Sequence, residues 1–131
     1  MIAYFKKDRT ENRILVGDLN IAPYENDVWS HSQLLKVVSH TPLETDNLKK
    51  LLNDGKWIDI MRKFVPLEEK LYSWWSYRNR DWKVSNRGRR LDHIWLSEKL
   101  VKAAKKMEVY KELRDWERPS DHVPVMLDID I

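Results

Sequence analysis

Residues 118–131 read RPSDHVPVMLDIDI, and this stretch predicts the strand that ends the chain. Pro119 and Ser120 are typical of a turn. After the turn, every second residue is apolar, which is the period of a half-buried strand: Val123, Val125, Leu127 and Ile129. Asp121 and His122 therefore lie at the start of the predicted strand, where a rigid sheet could hold their side chains in a fixed orientation toward a ligand. The alternative is a turn carboxylate beside a solvated histidine.

Composition limits the classes of protein that this chain can form. Its 131 residues are enough for one domain, 1–131, and 42% are apolar and 34% charged. The absence of cysteine excludes disulfides and thiolate metal sites. No apolar run is long enough to span a membrane, and residues 1–13 lack the apolar core of a signal peptide. We expect a cytoplasmic protein with no membrane partner.

Basic residues are concentrated in residues 78–90, RNRDWKVSNRGRR, which carry six cations against the single Asp81. Trp82 lies inside this segment, and YSWWSY, residues 72–77, precedes it. Arginines interleaved with aromatic rings suit phosphate contacts and stacking on bases or sugars. The alternative is a solvated loop beside core tryptophans. The candidate DNA contacts in this segment are Arg78, Arg87, Arg89 and Arg90.

Two further elements can be predicted from local pattern. The run Ile14–Val16, closed by Gly17, predicts a short buried strand that carries Asp18 and Asn20 at its end. Residues 41–55 then have the signals of a helix. Its N-cap, its first residue, its capping-box acid and its terminating glycine are Thr41, Pro42, Glu44 and Gly55.

Weaker patterns cover the rest of the chain. The pattern of residues 21–40 predicts a long irregular excursion between regular elements, with a short helix around 33–38. Residues 71–78 alternate like a strand that opens a hairpin, whose second arm is 88–97. We also expect short strands at 57–61 and 107–110 and a short helix that begins after Ser97. The pattern as a whole predicts an α/β fold with mostly antiparallel strand pairs.

Asp92 falls on the strand face that also carries Ile94 and Leu96. A carboxylate among aliphatic side chains is costly without a partner, and a histidine from a neighbouring strand is a natural one. The alternative is an ordinary backbone or arginine contact. His93 points to the opposite face, where we expect it to be packed rather than catalytic. We assign no role to the remaining two histidines of the excursion, His31 and His40.

Five polar residues are thus predicted at or near strand ends: Asp18, Asn20, Asp92, Asp121 and His122. This set could hydrolyse a phosphodiester. A carboxylate would take a proton from water, an amide and an imidazole would hold phosphate oxygens, and a second carboxylate would orient the imidazole. A further carboxylate could hold Mg²⁺ or Mn²⁺.

Four stretches in this order resemble the exodeoxyribonuclease III family of DNA-repair nucleases and abasic-site endonucleases: GDLNIAP (17–23), LYSWWSYR (71–78), NRGRRLDHIWLS (86–97) and ERPSDHVPV (117–125). The family belongs to the endonuclease/exonuclease/phosphatase superfamily, whose fold is a four-layer α/β sandwich with two facing sheets. The resemblance covers residues 14–131 and only the C-terminal half of the family's chain. It implies the C-terminal half of that sandwich, with a mostly antiparallel or mixed sheet.

The resemblance also implies roles for single residues. Asp18 would orient or deprotonate the attacking water, and Asn20 would hold the water and the phosphate. His122 would contact the scissile phosphate with Asp92 behind it. Asp121 would join Asp18 at the metal or support the metal site from just outside it.

Further, the resemblance makes Trp74 and Leu91 walls of the pocket that receives an abasic sugar. A core tryptophan is the alternative for Trp74. Some relatives have an aromatic residue at the position of Arg89, so the resemblance leaves the preference of the pocket open.

By the same resemblance the N-terminal half, with the principal metal-ligating glutamate, has no counterpart here. We therefore expect an incomplete Mg²⁺ or Mn²⁺ site and a fragment that is weak or inactive alone. The implied activities are 3′-5′ exonuclease and abasic-site endonuclease, on double-stranded DNA with abasic sites or 3′ ends. The missing half in trans, or a homodimer, would complete the site. The alternative is a non-catalytic remnant that binds DNA or a partner chain.

Overall fold

A computed structural model describes residues 12–131 of the chain. The described residues form five strands: β1 (Ile14–Asp18), β2 (Trp57–Asp59), β3 (Asp92–Ser97), β4 (Ala104–Val109) and β5 (Val125–Ile129). They also form four α-helices: α1 (His31–Leu34), α2 (Pro42–Asp54), α3 (Ile60–Phe64) and α4 (Trp82–Ser85). Three short 3-10 helices complete the elements: Glu25–Asp27, Glu98–Ala103 and Lys111–Asp115.

The strands form two antiparallel sheets. One has the order β1-β3-β2, and in it Asp18 at the end of β1 lies opposite Asp92 at the start of β3. The other sheet pairs β4 with β5. Because antiparallel neighbours bring the end of one strand beside the start of the next, this register places two predicted site carboxylates side by side.

Helix α2 is the element that the sequence specifies best. The Thr41 hydroxyl accepts a hydrogen bond from the Glu44 N–H, and the Glu44 carboxylate accepts from the Thr41 N–H. Pro42 occupies the first helical position, and Gly55 follows the last helical residue and donates its N–H to the Leu51 carbonyl. The predicted helix is confirmed because each of its signals acts within one turn.

An apolar core lies between the two sheets. Its buried side chains come from α3, β3 and the segments that flank them: Ile60, Met61, Leu71, Ile94, Leu96 and Leu100. Side chains from β4 and β5, including Met107, Val125 and Leu127, pack against this cluster. A second cluster is aromatic and joins residues 72–82 to Val123. The side chains of β5 therefore pack against the first cluster, and Val123, just before β5, belongs to the second.

Three predictions about local structure are wrong in detail. Residues 71–78 form no strand, because their backbone pairs only through isolated bridges, Trp74 with Arg89 and Trp74 with His122. Residues 33–38 are not helical as a whole, since α1 begins at His31 and ends at Leu34. The strand β1 is not buried. Its apolar residues Ile14 and Val16 are 47% and 65% exposed, because within the described residues they line an open groove beside β5.

Within residues 12–131 no helix has the length and apolar character that a membrane span requires. The prediction that residues 1–13 lack a signal peptide lies mostly outside the described residues.

Candidate active site

Asp18, Asp92 and His122 form a cluster where β1 ends and β3 begins. The His122 Nδ1 lies 2.8 Å from Asp92 Oδ2, and its Nε2 lies 3.5 Å from Asp18 Oδ2. One ligand atom of each residue lies within 4.8 Å of the others. The predicted histidine partner of Asp92 is confirmed, and the imidazole bridges the two carboxylates.

Ser73 is a residue of this region that the sequence patterns missed. Its hydroxyl is fully buried and accepts hydrogen bonds from the N–H groups of Leu91 and Asp92, both at 3.1 Å. Its carbonyl accepts from the N–H of Val123 at 2.9 Å. Ser73 therefore holds the backbone on both sides of the bond between His122 and Asp92. A serine next to an aromatic pair carries no local signal of such a role.

The imidazole of His122 is biased toward its charged form. Burial lowers its pKa, but the hydrogen bond and charge of Asp92, together with the charges of Asp18 and Asp121, raise it by more. The net result is a pKa above the ordinary histidine value. Because Asp92 accepts at Nδ1, the protonated ring directs its second N–H from Nε2 toward Asp18 and the open side of the cluster.

Asn20 lies beside Asp18 through a tight local turn. The Asn20 N–H donates to Asp18 Oδ1 at 2.9 Å, and the backbone of Asn20 is left-handed, with φ 55°. Asparagine tolerates this conformation better than most residues. The turn fixes one carboxylate oxygen of Asp18 and leaves the other facing His122. The side chain of Asn20 is exposed.

Asp121 lies beside the three-residue cluster and bonds to Trp74. Its Oδ2 accepts a hydrogen bond from the indole Nε1 of Trp74 at 3.0 Å, and it is not a member of the three-residue cluster within residues 12–131. The role of Asp121 at a metal stays a prediction. The hydrogen bond from Trp74 to Asp121 anchors the indole ring beside His122.

A basic groove lies next to this cluster. It has a volume of about 920 Å³ and is lined by Trp29, Trp74, Ser76, Arg78, Asn79, Asp81, Val84, Ser85, Arg87 and Arg89. Two arginine–tryptophan stacks form part of its wall. The Arg87 guanidinium lies 4.7 Å from the ring centre of Trp29, and that of Arg89 lies 5.2 Å from the ring centre of Trp74. Of the four predicted arginines, Arg78, Arg87 and Arg89 line the groove.

The prediction that Arg90 contacts DNA is wrong. Its side chain is fully buried, with Nη2 at 2.9 Å from Asp27 Oδ2 and 2.7 Å from Asp59 Oδ2. Leu91 is 6% exposed and packs in an apolar cluster with Trp29 and Trp74, and its role as a pocket wall stays a prediction. The error for Arg90 arises because a charged segment in the sequence does not reveal which of its side chains turn inward.

Gly88 explains why the backbone can alternate here between inward and outward side chains. A Cβ atom at this position would lie 2.5 Å from two atoms of the Tyr72 side chain, Cγ and Cδ2. Tyr72 is itself buried in the aromatic cluster. The chain therefore passes directly over this ring, which places Arg87 and Arg89 at the groove on either side.

Arg89 is more constrained than the other groove arginines. Its Nη1 donates to the Val38 carbonyl and to the Ser39 hydroxyl, at 3.2 and 3.0 Å, and partial burial lowers its pKa. The guanidinium thereby ties the loop before α2 to Trp74.

His93 is packed, as predicted. Its Nε2 lies 2.8 Å from the Ile21 carbonyl, and its side chain is almost fully buried. Burial, with the nearby Arg90 charge, lowers the pKa of His93 to about 4. The ring is therefore neutral at neutral pH.

Comparison with known proteins gives a consistent result. Residues 2–122 match the Endonuclease/Exonuclease/phosphatase family. Exodeoxyribonuclease III of Haemophilus influenzae is 31% identical over 124 residues, which cover 90% of this chain and 46% of that protein. The DNA repair nuclease APEX1 of Danio rerio is 30% identical over 120 residues, which cover 92% of this chain and 37% of that protein. The chain spans less than half the length of these relatives.

Solved structures agree with the sequence comparisons. The 3′-5′ exonuclease NExo of Neisseria meningitidis has a TM-score of 0.89 at 30% identity, over 99% of this chain and 50% of that one. An AP endonuclease from Archaeoglobus fulgidus has a TM-score of 0.92 at 27% identity, over 99% of this chain and 51% of that one. The predicted α/β fold is confirmed, and the chain superposes on half of each of these structures.

Proposed function

The chain belongs to the endonuclease/exonuclease/phosphatase family, and on that basis we propose that it carries part of the active site of a DNA phosphodiesterase. The proposed activities are those of the exodeoxyribonuclease III branch, namely removal of nucleotides from 3′ ends and cleavage at abasic sites. The observation that carries the proposal is the bridging of Asp92 and Asp18 by the His122 imidazole.

Each member of the cluster has a distinct task in this proposal. Asp18 orients the attacking water and accepts its proton, since the Oδ2 that faces His122 is free of the turn to Asn20. The charged imidazole of His122 donates from Nε2 to an oxygen of the scissile phosphate, where negative charge develops. Asp92 holds the ring in that orientation, and Asn20 adds a neutral donor for the phosphate or the water.

A hard divalent cation fits the chemistry of this cluster through its carboxylates. Asp18 is the residue we propose to hold Mg²⁺ or Mn²⁺, because Asp92 is already bonded to His122. Magnesium sites of this kind use one or two carboxylates and otherwise water and substrate phosphate. When bound, the ion would neutralise phosphate charge. Asp121 remains a proposed additional carboxylate near this ion.

We further propose that the site is completed by a second polypeptide segment supplied in trans. An apolar groove of about 530 Å³ runs between β1 and β5 and is lined by Ile14, Val16, Ile94, Val125, Leu127 and Ile129. The same groove reaches Gly17, Asp92 and Val123, beside the cluster. A strand packed there would cover the exposed apolar face of β1 and could bring a further carboxylate to Asp18. A second copy of this chain is the other candidate.

The proposed substrate is double-stranded DNA with an abasic site or a 3′ end. The groove beside the cluster offers three arginines for phosphates and two tryptophan faces for stacking. Trp74 links the two regions, because it is bonded to Asp121 and bridged to His122 while Arg89 covers its ring. We propose that the groove positions the strand and that the cluster cleaves it.

One observation favours a second candidate function, namely DNA binding without cleavage. The basic groove brings together three arginines and two tryptophan rings, whereas the catalytic cluster offers three ligand groups, two of them bonded to one another. Under this alternative the chain binds DNA through charge and stacking alone.

The two functions separate in one experiment. The purified chain is incubated with a duplex that carries one abasic-site analogue, in Mg²⁺ or in EDTA, beside His122→Ala and a surface control, Lys63→Ala. We expect Mg²⁺-dependent cleavage that His122→Ala abolishes and Lys63→Ala retains, at a rate that rises when a chain covering the other half of a relative is added. Salt-sensitive binding in EDTA, with no cleavage under any of these conditions, would establish the second function instead.

A further inference from the structure

Two histidines outside the active-site cluster face each other at short range. His31 lies at the start of α1, and His40 lies immediately before Thr41, the N-cap of α2. The distance from His31 Nδ1 to His40 Nε2 is 2.7 Å, and the rings meet edge to face with centroids 5.0 Å apart. Neither residue takes part in the proposed hydrolysis.

The other nitrogen of each ring lies near an oxygen atom. His40 Nδ1 lies 2.7 Å from the Ala22 carbonyl oxygen, which can only accept, so this nitrogen carries a proton. In the neutral ring, Nε2 of His40 therefore presents a lone pair to His31. On the far side of His31, Nε2 lies 3.6 Å from Glu25 Oε1, an ion-pair contact longer than a hydrogen bond that becomes favourable when His31 is charged.

These two outer contacts create a conflict between the inner nitrogens. If both rings are neutral and both outer nitrogens carry the protons, two lone pairs face each other across 2.7 Å and repel. The conflict disappears when a neutral His31 carries its proton on Nδ1 and donates it to His40 Nε2, or when a cation lies between the two nitrogens. A proton does this when His31 is charged, and a metal ion can do it by taking both lone pairs.

We propose that His31 Nδ1 and His40 Nε2 form a binding site for a borderline divalent transition metal such as Zn²⁺. Neutral imidazole is a preferred ligand of such ions, whereas Mg²⁺ prefers oxygen. Metal-bound histidines usually donate their other ring N–H to a carbonyl or a carboxylate, which fixes the tautomer and the ring orientation. The Ala22 carbonyl is such an acceptor for His40, and the Glu25 carboxylate lies within ion-pair distance of His31.

Metal binding requires the two ring nitrogens to move slightly apart, and the structure permits this movement on the side of His31. Tetrahedral Zn²⁺ with two imidazole ligands separates the nitrogens by about 3.4 Å, so the pair must open by roughly 0.7 Å. His40 is 2% exposed and is fixed by its carbonyl. The side chain of His31 is 40% exposed and belongs to a helix of four residues, so His31 is the ligand that moves.

Space for the remaining ligands lies beside the pair. A cavity of about 300 Å³ is lined by both histidines and by Tyr24, Glu25, Asp46 and Lys49, among others. It can hold the water molecules that complete the coordination. The carboxylates of Glu25 and Asp46 favour a cation in this cavity and the ammonium of Lys49 opposes it. With two protein ligands in the described residues, we expect binding weaker than that of a four-ligand structural site.

The test is calorimetric titration of the metal-free chain with Zn²⁺. We expect a saturable site with Kd at least tenfold higher in His31→Gln and about tenfold higher in Glu25→Gln, which removes the carboxylate near His31. The control is His122→Ala, which removes the histidine of the active-site cluster and should leave the Kd of this site unchanged. Because the titration uses no DNA, its result does not depend on the proposed hydrolysis.

A second readout identifies the ligand atoms. In ¹⁵N NMR spectra of the imidazoles, Zn²⁺ should shift Nδ1 of His31 and Nε2 of His40, and leave Nδ1 of His40 protonated. A circular dichroism spectrum of His31→Gln checks that this variant is folded. Zn²⁺ that binds equally to His31→Gln, or that is lost only in His122→Ala, would overturn the proposal. So would the absence of binding by the folded chain at millimolar Zn²⁺, which would leave a shared proton between the two rings.

Discussion

Two groups of charged side chains lie near the two ends of the same short segment, and they differ in burial. Arg90 is paired with Asp27 and Asp59, and the three side chains are 0 to 6% exposed. His122 is paired with Asp92 and lies near Asp18, and these side chains are 23 to 38% exposed. Arg90 and Asp92 are only two residues apart in the sequence.

The two groups have different roles because they differ in burial. In the buried network every charge has a partner, since Arg62 also donates to Asp27, and no ligand can enter. Burial alone would lower the pKa of Arg90, but Asp27 and Asp59 raise it above its usual value, so the guanidinium stays charged. The exposed cluster keeps open sides on Asp18 and His122. Charged groups of the same kinds therefore stabilise the fold where water is excluded and remain available for chemistry where it is not.

The largest expected effect comes from breaking the buried network. Arg90→Ala should lower the free energy of unfolding by about 3–5 kcal/mol, because it leaves Asp27 and Asp59 buried with less compensation. Chemical denaturation of the variant measures the loss. The neighbouring Arg89→Ala is the matched control and should cost about 1 kcal/mol. Equal effects of the two substitutions would contradict the distinction between the regions.

Acid should weaken the buried region through His93, which lies close to Arg90. Its folded pKa of about 4 is below the ordinary value of 6.5, so the unfolded chain takes up the proton first. The contribution of His93 to the free energy of unfolding is therefore complete above pH 6.5 and decreases as the pH falls. The loss from this group reaches about 3 kcal/mol near pH 4. Urea midpoints from pH 7 to pH 4 measure the slope.

The control for this prediction is His93→Gln, which cannot take up a proton. The difference in unfolding free energy between the two chains isolates His93 from other titrating groups. Parallel pH profiles would mean that His93 takes up its proton at the same pH in the folded and the unfolded chain, which would contradict this prediction.

The exposed side of the comparison is tested by DNA affinity. Arg87→Ala should weaken binding of duplex DNA several-fold and reduce the slope of log affinity against log salt by about 1, because one phosphate contact is lost. Fluorescence anisotropy at several salt concentrations measures both. Lys63→Ala, an exposed cation outside the groove, should change neither. A similar loss in both variants would mean that only net charge matters.

The smallest effect on stability is expected in the cluster itself. Asp92→Asn should change the free energy of unfolding by less than about 1 kcal/mol, because partly exposed ion pairs contribute little. It should nevertheless lower the pKa of His122, since Asp92 supplies the first of the interactions that raise it. NMR titration of the imidazole measures this change, and an unaltered pKa would contradict the assigned partner.

The sign of the pH effect follows from the same pair. Because the folded pKa of His122 lies above the ordinary value, its stabilising contribution is complete at pH values below that ordinary value. The contribution is lost as the pH rises through the folded pKa. Asp92→Asn should remove most of this pH dependence.

Features encoded within a few residues could be predicted from sequence, and features set by distant packing could not. The helix α2 follows from Thr41, Pro42, Glu44 and Gly55, all within its own ends. The partner of Asp92 could also be anticipated, because a carboxylate on an apolar strand face requires one.

Arg90 and Ser73 show the limit. Arg90 lies in the most basic segment of the chain, yet its partners are Asp27 and Asp59, 63 and 31 residues away. Ser73 bonds to residues 18 and 19 positions away, and nothing around it in the sequence marks it. In both cases the decisive neighbour is brought in by the tertiary fold.

The close approach of Gly88 to Tyr72 has a practical consequence for protein engineering. A combinatorial library that diversifies the groove can vary position 87, and position 89 at the cost of the contacts that Arg89 makes to Val38 and Ser39, but most clones that also vary position 88 will need a displaced aromatic ring. Position 88 should therefore be kept constant in the first round of selection. A paired exchange, Gly88→Ala with Tyr72→Ala, is where a second round would start.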